Sequence, residues 1–91
     1  MFSFIVMDYF VYILECADKT LYTGCTNSIP RRIAEHNSGN RGAKYTRNRR
    51  PVKLLYSEQY KTIGEARHRE AEIKRMRRQE KIILCNKKSP T

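Results

Sequence analysis

The chain has 91 residues, with 19 Lys and Arg against 9 Asp and Glu, and a formal net charge of +10. This length excludes a second domain, and the charge points to a polyanionic partner, with a phosphodiester backbone as the first expectation. The 3 cysteines include no Cys-x-x-Cys pair, which argues against a disulfide framework or a zinc site and favours a reduced, cytoplasmic setting.

Two paired strands are predicted near the N-terminus. Residues 1–7 are mostly apolar but far fewer than a membrane span needs, and we expect residues 1–8 to be an N-terminal extension. Residues 9–14 are an unbroken aromatic and aliphatic run, typical of a strand that is covered on both faces. Turn residues 17–20 then lead into a second strand at 21–24, close enough in sequence to pair by an antiparallel hairpin.

A helix and a basic loop come next. Asn27 or Ser28 can cap a helix over residues 29–37, with Pro30 tolerated in the first turn. Residues 39–51 are punctuated by glycine and rich in cations, which predicts a loop. We expect part of this loop to guide a nucleic-acid strand, although a solvated basic face is the alternative; the residues are Lys44, Tyr45, Arg47, Arg49 and Arg50.

The remaining elements complete an α+β fold. Residues 52–58 predict a third strand, and Thr62-x-x-Glu65 is a capping box that opens a long helix reaching at least Arg78. Residues 83–91 are predicted to be a basic tail. The prediction is therefore one domain over residues 9–82: a three-stranded antiparallel sheet flanked by helices, in the order β-β-α-β-α, with room for a short C-terminal helix.

Arg32 and His36 are four residues apart on the predicted first helix and therefore share one of its faces. Ile29 and Ile33 mark the side that faces the sheet, so both polar groups lie at the edge of the buried stripe. A solvated basic helix, with His36 as an ordinary residue at the edge of the core, is the alternative to a functional pair.

Glu70 is the carboxylate that shares the apolar side of the second helix. At about 100° per residue it projects with Ile63, Ala66 and Ile73, while the neighbouring glutamates point away. Burying an anion costs several kcal/mol unless a metal ion or a cation compensates it. The position predicts a metal or catalytic site, with a buried ion pair to an arginine as the structural alternative.

Tyr12 and Tyr22 stand ten residues apart on the two predicted hairpin strands, so their side chains share one face if the register allows it. Taken alone, they are ordinary core aromatics of strands. Together with Arg32, His36 and Glu70 they form a set that can hold a metal, grip a phosphate and move a proton.

This set of residues resembles the signature of the GIY-YIG nuclease domain, and looks most like its small stand-alone bacterial members. Phe10-Val11-Tyr12 stands in the place of the first triplet and Tyr22-Thr23-Gly24 in that of the second. Arg32 corresponds to the family arginine, His36 to a histidine of many members, and Glu70 to the metal-binding glutamate. The three-stranded sheet of that family agrees with the order of elements predicted above.

The resemblance implies an endonuclease that hydrolyses phosphodiester bonds with one divalent cation, Mg²⁺ or Mn²⁺, by in-line attack of water. Glu70 would anchor the metal and Arg32 would hold the scissile phosphate. Tyr12 or Tyr22 would take the proton from water, as a phenol whose pKa of about 10 is lowered by the metal and Arg32. His36 would orient that phenol or assist the transfer.

Three departures from the family pattern bear on activity and substrate choice, and one is that the asparagine which a nucleotide-excision-repair relative carries beyond its glutamate has no clear equivalent. Phe10 replaces the first glycine, and Cys25 stands where a nucleotide-excision-repair relative has a lysine. We expect DNA before RNA as the partner, in repair or processing, with no membrane contact and a monomeric protein, and Lys74 as an extension of the basic track. The rival interpretation is a nucleic-acid-binding module with this fold and little or no catalysis.

Overall fold

The computed structural model describes residues 8–87 and shows an α+β fold. Residues 1–7 of the predicted extension and residues 88–91 of the predicted tail lie outside the described part of the chain. The three strands form one antiparallel sheet in the order β2-β1-β3, as predicted. The elements are β1 (Tyr9–Glu15), β2 (Leu21–Thr26), α1 (Ile29–Asn37), α2 (Lys44–Arg47), β3 (Lys53–Tyr60), α3 (Ile63–Lys74) and α4 (Arg78–Asn86).

The central strand β1 is buried on both faces. Val11 and Ile13 pack against α3, mainly at Ala66 and Ile73. Tyr12 and its neighbour Leu14 point to the other face, where Ile33 of α1 packs against them. The unbroken apolar run of β1 thus reflects a helix on each side of the sheet, since neither face can be polar.

Three local features differ from the predictions. The predicted basic loop contains the short helix α2. The predicted long helix ends at Lys74, since the Arg75 N–H bonds back to carbonyls of the last turn and a new helix begins at Arg78. Residues 83–86, predicted as tail, are the end of α4. Met76 lies between the two helices but packs on the core. The apolar pattern therefore continues through the break, and the sequence shows no helix stop signal there.

Thr62 caps α3 as predicted, but the reciprocal half of the predicted capping box differs, since the Glu65 carboxylate accepts from the Thr62 hydroxyl. The Thr62 hydroxyl oxygen accepts a hydrogen bond from the Glu65 N–H at 3.2 Å, which satisfies one of the unpaired donors of the first turn. Within residues 8–87, every helix falls short of the length and apolar character that a membrane crossing requires.

Candidate active site

A cavity of about 450 Å³ lies beside the outer strand β2. Although α1 and α3 cover opposite faces of the sheet, residues from both helices line it. Four of the five predicted catalytic residues are among them: Tyr12, Tyr22, Arg32 and Glu70. The other lining side chains include Tyr9, Cys25, Asn27, Arg31, Glu35 and Arg67.

The two tyrosines meet because of the hairpin register. Tyr12 pairs with Gly24 and Leu14 pairs with Tyr22, so the tyrosines are diagonal neighbours on one face, with ring centroids 6.5 Å apart. A Cβ at Gly24 would collide with the Tyr12 ring. Gly24 therefore makes the space in which the Tyr12 phenol lies, a close approach to backbone that only glycine permits.

His36, the fifth predicted residue, does not line the cavity but lies buried behind Tyr12. It is 0% exposed, and its Nε2 lies 2.9 Å from the Tyr12 hydroxyl. Its Nδ1 lies 2.8 Å from the hydroxyl of Thr46 in α2. The Tyr22 ring contacts the imidazole edge to face, with centroids 5.2 Å apart. His36 can therefore act on substrate only through Tyr12.

Burial controls the protonation of this pair. It raises the pKa of Tyr12 to about 12, and the Arg32 guanidinium opposes that rise but does not overcome it. Burial also lowers the pKa of His36 from 6.5 to about 4, and the Arg32 charge acts in the same direction. Both groups are therefore neutral near pH 7. The predicted lowering of a tyrosine pKa is thus not found at Tyr12, because burial raises the pKa by more than Arg32 lowers it.

Arg32 is held at the cavity by two hydrogen bonds. Its Nη1 donates to Glu35 Oε1 at 2.9 Å and to the backbone carbonyl of Arg41 at 2.7 Å. The second bond ties the loop after α1 to this guanidinium. A half-buried arginine fixed in this way presents its remaining N–H groups in a defined direction.

Glu70 lies in the cavity with one cationic neighbour. Its side chain is 20% exposed, and Oε2 lies 2.9 Å from Nζ of Lys74, an exposed residue one turn along α3. Within residues 8–87, no three His, Cys, Asp or Glu side chains cluster as ligands for a metal ion. One carboxylate in a hydrated cavity nevertheless fits Mg²⁺, which keeps several waters and commonly uses one or two carboxylates together with substrate phosphate.

Some cations of the predicted nucleic-acid loop contact the rest of the domain, and others are exposed. The Tyr45 ring is stacked between Tyr22, at 5.8 Å, and the Arg49 guanidinium, at 4.1 Å. Arg49 also binds Asp18 at 3.0 Å, and Arg50 donates to the backbone carbonyls of His36 and Gly39. These groups hold the loop against the domain. The remaining two loop residues, Lys44 and Arg47, are exposed.

Sequence reasoning missed further residues of the cavity region, among them Arg67, Arg31 and Thr46. Arg67 lines the cavity from α3, and its place three residues before Glu70 was a usable signal, since that spacing puts both on one side of a helix. Arg31 lines it from α1. Thr46 is 0% exposed behind His36, and no spacing signal could have found it, because the contact depends on how the loop folds.

Comparison with known proteins agrees with this geometry. The family model of the GIY-YIG catalytic domain matches residues 8–83. The chain belongs to the GIY-YIG family. A UPF0213 protein of Syntrophus aciditrophicus is 57% identical over 75 residues, which cover 82% of this GIY-YIG chain and 86% of that protein. A UPF0213 protein of Natronomonas pharaonis is 51% identical over 77 residues, covering 85% and 89%.

The solution NMR structure of the UPF0213 protein BH0048 from Bacillus halodurans has the same fold. It is 45% identical, with a TM-score of 0.55, and the match covers 86% of this chain and 82% of that one. Recognition of the family and of its three-stranded sheet is thereby confirmed. The GIY-YIG family is of nuclease type and acts on nucleic acids, while the name UPF0213 states no activity.

Proposed function

We propose that this GIY-YIG protein is a metal-dependent endonuclease that hydrolyses phosphodiester bonds in nucleic acid, with DNA favoured, in repair or processing. The observation that carries the proposal is the placement of Glu70. Among residues 8–87 its ion-pair partner is the exposed Lys74, and it shares one cavity with Arg32, Tyr12 and Tyr22. An incompletely paired carboxylate that faces a cavity lined by cationic side chains supports the recruitment of a metal cation there.

Glu70 would hold Mg²⁺ or Mn²⁺ through its carboxylate oxygens, with water and substrate phosphate as the other ligands. When bound, such a cation supplies Lewis-acid stabilisation of the phosphoryl oxygens and a more acidic water. Lys74 can move away from Glu70, since it is the exposed partner of the pair and its flexible side chain can reach water.

Arg32 would bind the scissile phosphate. Its Nη1 makes the contacts with Glu35 and with the Arg41 carbonyl, and the guanidinium also hydrogen-bonds the Tyr12 phenol, so the N–H groups outside these contacts are left for phosphate oxygens. A planar guanidinium donates to two oxygens of a phosphate at once and neutralises the charge that grows in the transition state. Glu35 and the Arg41 carbonyl hold it in place for this contact.

Tyr12 is better placed than Tyr22 to take the proton from the attacking water. A neutral phenol can accept a proton only if it passes its own proton on, and Tyr12 has His36 Nε2 at 2.9 Å. The O–H bond of Tyr12 would break as an N–H bond forms on His36, while the Tyr12 oxygen gains the proton from water. Tyr22, which lines the cavity beside it, would position the phosphate.

The strand would cross the cavity on cations from both helices. Arg31 and Arg67 line the cavity and would contact the phosphates on either side of the scissile one. Lys44, Arg47 and Lys74 would extend this path, while Arg49, Arg50 and Tyr45 support the loop. Cleavage of labelled duplex, branched and single-stranded DNA and of RNA, with Mg²⁺, with Mn²⁺ and with EDTA, tests the proposal.

The expected result is turnover that requires the metal and is abolished by EDTA. Protein carrying Arg32→Ala, purified identically, is the control for contaminating nuclease and is expected to be inactive. Tight, salt-dependent binding of nucleic acid without turnover on any substrate would instead favour the binding module.

A further inference from the structure

Thr46 is a buried polar residue behind the active site, and the proposed reaction assigns it no part. It lies in α2, more than thirty residues from Tyr12, and is 0% exposed, as is His36. A buried chain runs from the Tyr12 hydroxyl to His36 Nε2, from His36 Nδ1 to the Thr46 hydroxyl, and from there to the Ala43 carbonyl at 3.0 Å. Which group donates in each of these hydrogen bonds follows from the last bond, between the Thr46 hydroxyl and the Ala43 carbonyl.

The Thr46 hydroxyl has one hydrogen, and two groups compete for it. The Ala43 carbonyl oxygen can only accept, so the hydrogen between the two oxygens must come from Thr46. If that hydrogen pointed to His36 instead, two oxygens would face each other at 3.0 Å without a hydrogen between them. The Thr46 oxygen therefore accepts from His36, and Nδ1 carries the imidazole hydrogen.

The backbone N–H of Ala43 is also within hydrogen-bond range of His36 Nδ1, at 3.4 Å, and it could donate only if Nδ1 carried no hydrogen. This is the longest contact that either imidazole nitrogen makes within residues 8–87, and the Thr46 hydroxyl is 0.6 Å closer (3.4 Å against 2.8 Å). A neutral imidazole has a hydrogen on one nitrogen only. Nε2 is then bare and accepts the Tyr12 O–H at 2.9 Å.

We propose that Thr46 is a positioning residue that holds His36 in the Nδ1–H tautomer, so that Tyr12 donates its proton to Nε2 and turns its oxygen lone pairs toward the cavity. The effect on cleavage rests on the proposed function, whereas the tautomer of His36 is inferred from the hydrogen bonds alone. In the opposite tautomer His36 would donate to Tyr12, and Tyr12 would have no acceptor for its proton.

The test combines ¹⁵N NMR of the imidazoles with cleavage kinetics in the full-length protein. The chain has 2 histidines, and the exposed His68 serves as the internal reference, assigned through His68→Gln. The parent is expected to show a protonated Nδ1 and a bare Nε2 at His36 near pH 7. Thr46→Val removes the hydroxyl and should shift the proton to Nε2 in part or completely, while Thr46→Ser should keep the parental tautomer.

In kinetics, Thr46→Val is expected to lower kcat by about tenfold to a hundredfold with KM nearly unchanged, because the loss falls on proton transfer. Thr46→Ser, which keeps the hydroxyl, should retain most of the parental kcat. A parent with protonated Nε2, or a folded Thr46→Val protein with unchanged tautomer, would overturn the proposal. If Thr46→Val does not fold, the proposal is still tested by the tautomer of the parent and by the tautomer and kcat of Thr46→Ser. Parental Nδ1–H without any cleavage would overturn the proposed function and leave the tautomer assignment standing.

Discussion

Two clusters of tyrosine, arginine and glutamate in this domain have similar composition but opposite character. In the first, between β3 and α3, the Glu58 carboxylate accepts hydrogen bonds from the phenols of Tyr56 and Tyr60, at 2.5 and 2.6 Å. It also accepts two hydrogen bonds from the Arg69 guanidinium, at 2.9 and 3.0 Å. In the second, at the cavity, Glu70 has the exposed Lys74 as its partner. One carboxylate is saturated by its own protein, and the other is left with capacity to bind.

The contrast distinguishes two roles for a carboxylate on an apolar face of a helix or strand: half of an internal ion pair, or a ligand for something bound from outside. The sequence analysis left a buried ion pair with an arginine as the alternative for Glu70, and the structure places that arrangement at Glu58 instead. Saturation of both oxygens lets a buried carboxylate serve packing alone. An unsaturated carboxylate that faces a cavity is better explained by a ligand from outside.

Acid should affect the buried His36 and the Glu58 cluster in different pH ranges. His36 has a folded pKa of about 4 against 6.5 unfolded, so the unfolded chain binds more protons between these values. Its contribution is fully present above pH 6.5 and is lost as the pH falls toward 4, at a cost of about 3 kcal/mol. Burial opposes ionisation of Glu58, but its hydrogen bonds lower the pKa below 4.5, so its contribution is lost only in stronger acid.

Urea unfolding at a series of pH values measures this difference. The parent should lose stability between pH 6.5 and 4.5, His36→Gln should show a much flatter dependence there, and His68→Gln should behave like the parent. Parental stability that stays level through this range would contradict a buried, neutral His36.

Breaking the saturated cluster should cost stability without affecting the chemistry. Glu58→Gln removes the charge that pairs with Arg69 and should lower the free energy of unfolding by about 2 kcal/mol, because both groups are mostly withdrawn from water. Glu72→Gln is the control, since Glu72 is more exposed and its contact with Arg69 is 3.5 Å long. Chemical denaturation measures both. A Glu58→Gln protein as stable as the parent would remove the structural role assigned to this cluster.

Salt dependence should distinguish the cavity cations from the loop cations. Arg67→Ala is expected to reduce the slope of log K against log salt for duplex DNA by about 0.9, the value for one lost phosphate contact. Arg49→Ala should change that slope little and lower stability, because Arg49 binds Asp18 and stacks on Tyr45. Fluorescence anisotropy over a salt series checks this. The reverse pattern would move the nucleic-acid path from the cavity to the loop.

Local sequence signals predicted most of the fold, and long-range contacts determined the rest. The apolar run of β1 and the Thr62 N-cap are local signals, and both were correctly placed. The helix break at residues 75–77 was missed because Met76 continues the apolar pattern. A helix as short as α2 cannot be seen in a basic, glycine-punctuated segment.

The candidate site divides in the same way. Motif and helical spacing were enough to select Tyr12, Arg32 and Glu70, which the structure gathers at one cavity. The burial of His36 behind Tyr12 could not be predicted, because it depends on Thr46 reaching it across ten residues of intervening chain. For the same reason the sequence could not distinguish arginines that hold the loop from those that face the cavity.

The most direct measurement is the cleavage rate of Glu70→Gln with Mg²⁺, taken together with its melting temperature. The account predicts a loss of about a hundredfold or more in rate, because the charged metal ligand is removed, with a melting temperature close to that of the parent. Glu72→Gln removes the same charge from the same helix outside the cavity and should cleave normally. A Glu70→Gln protein that keeps full Mg²⁺-dependent cleavage, or that melts far below the parent, would contradict the claim that Glu70 is held for a metal.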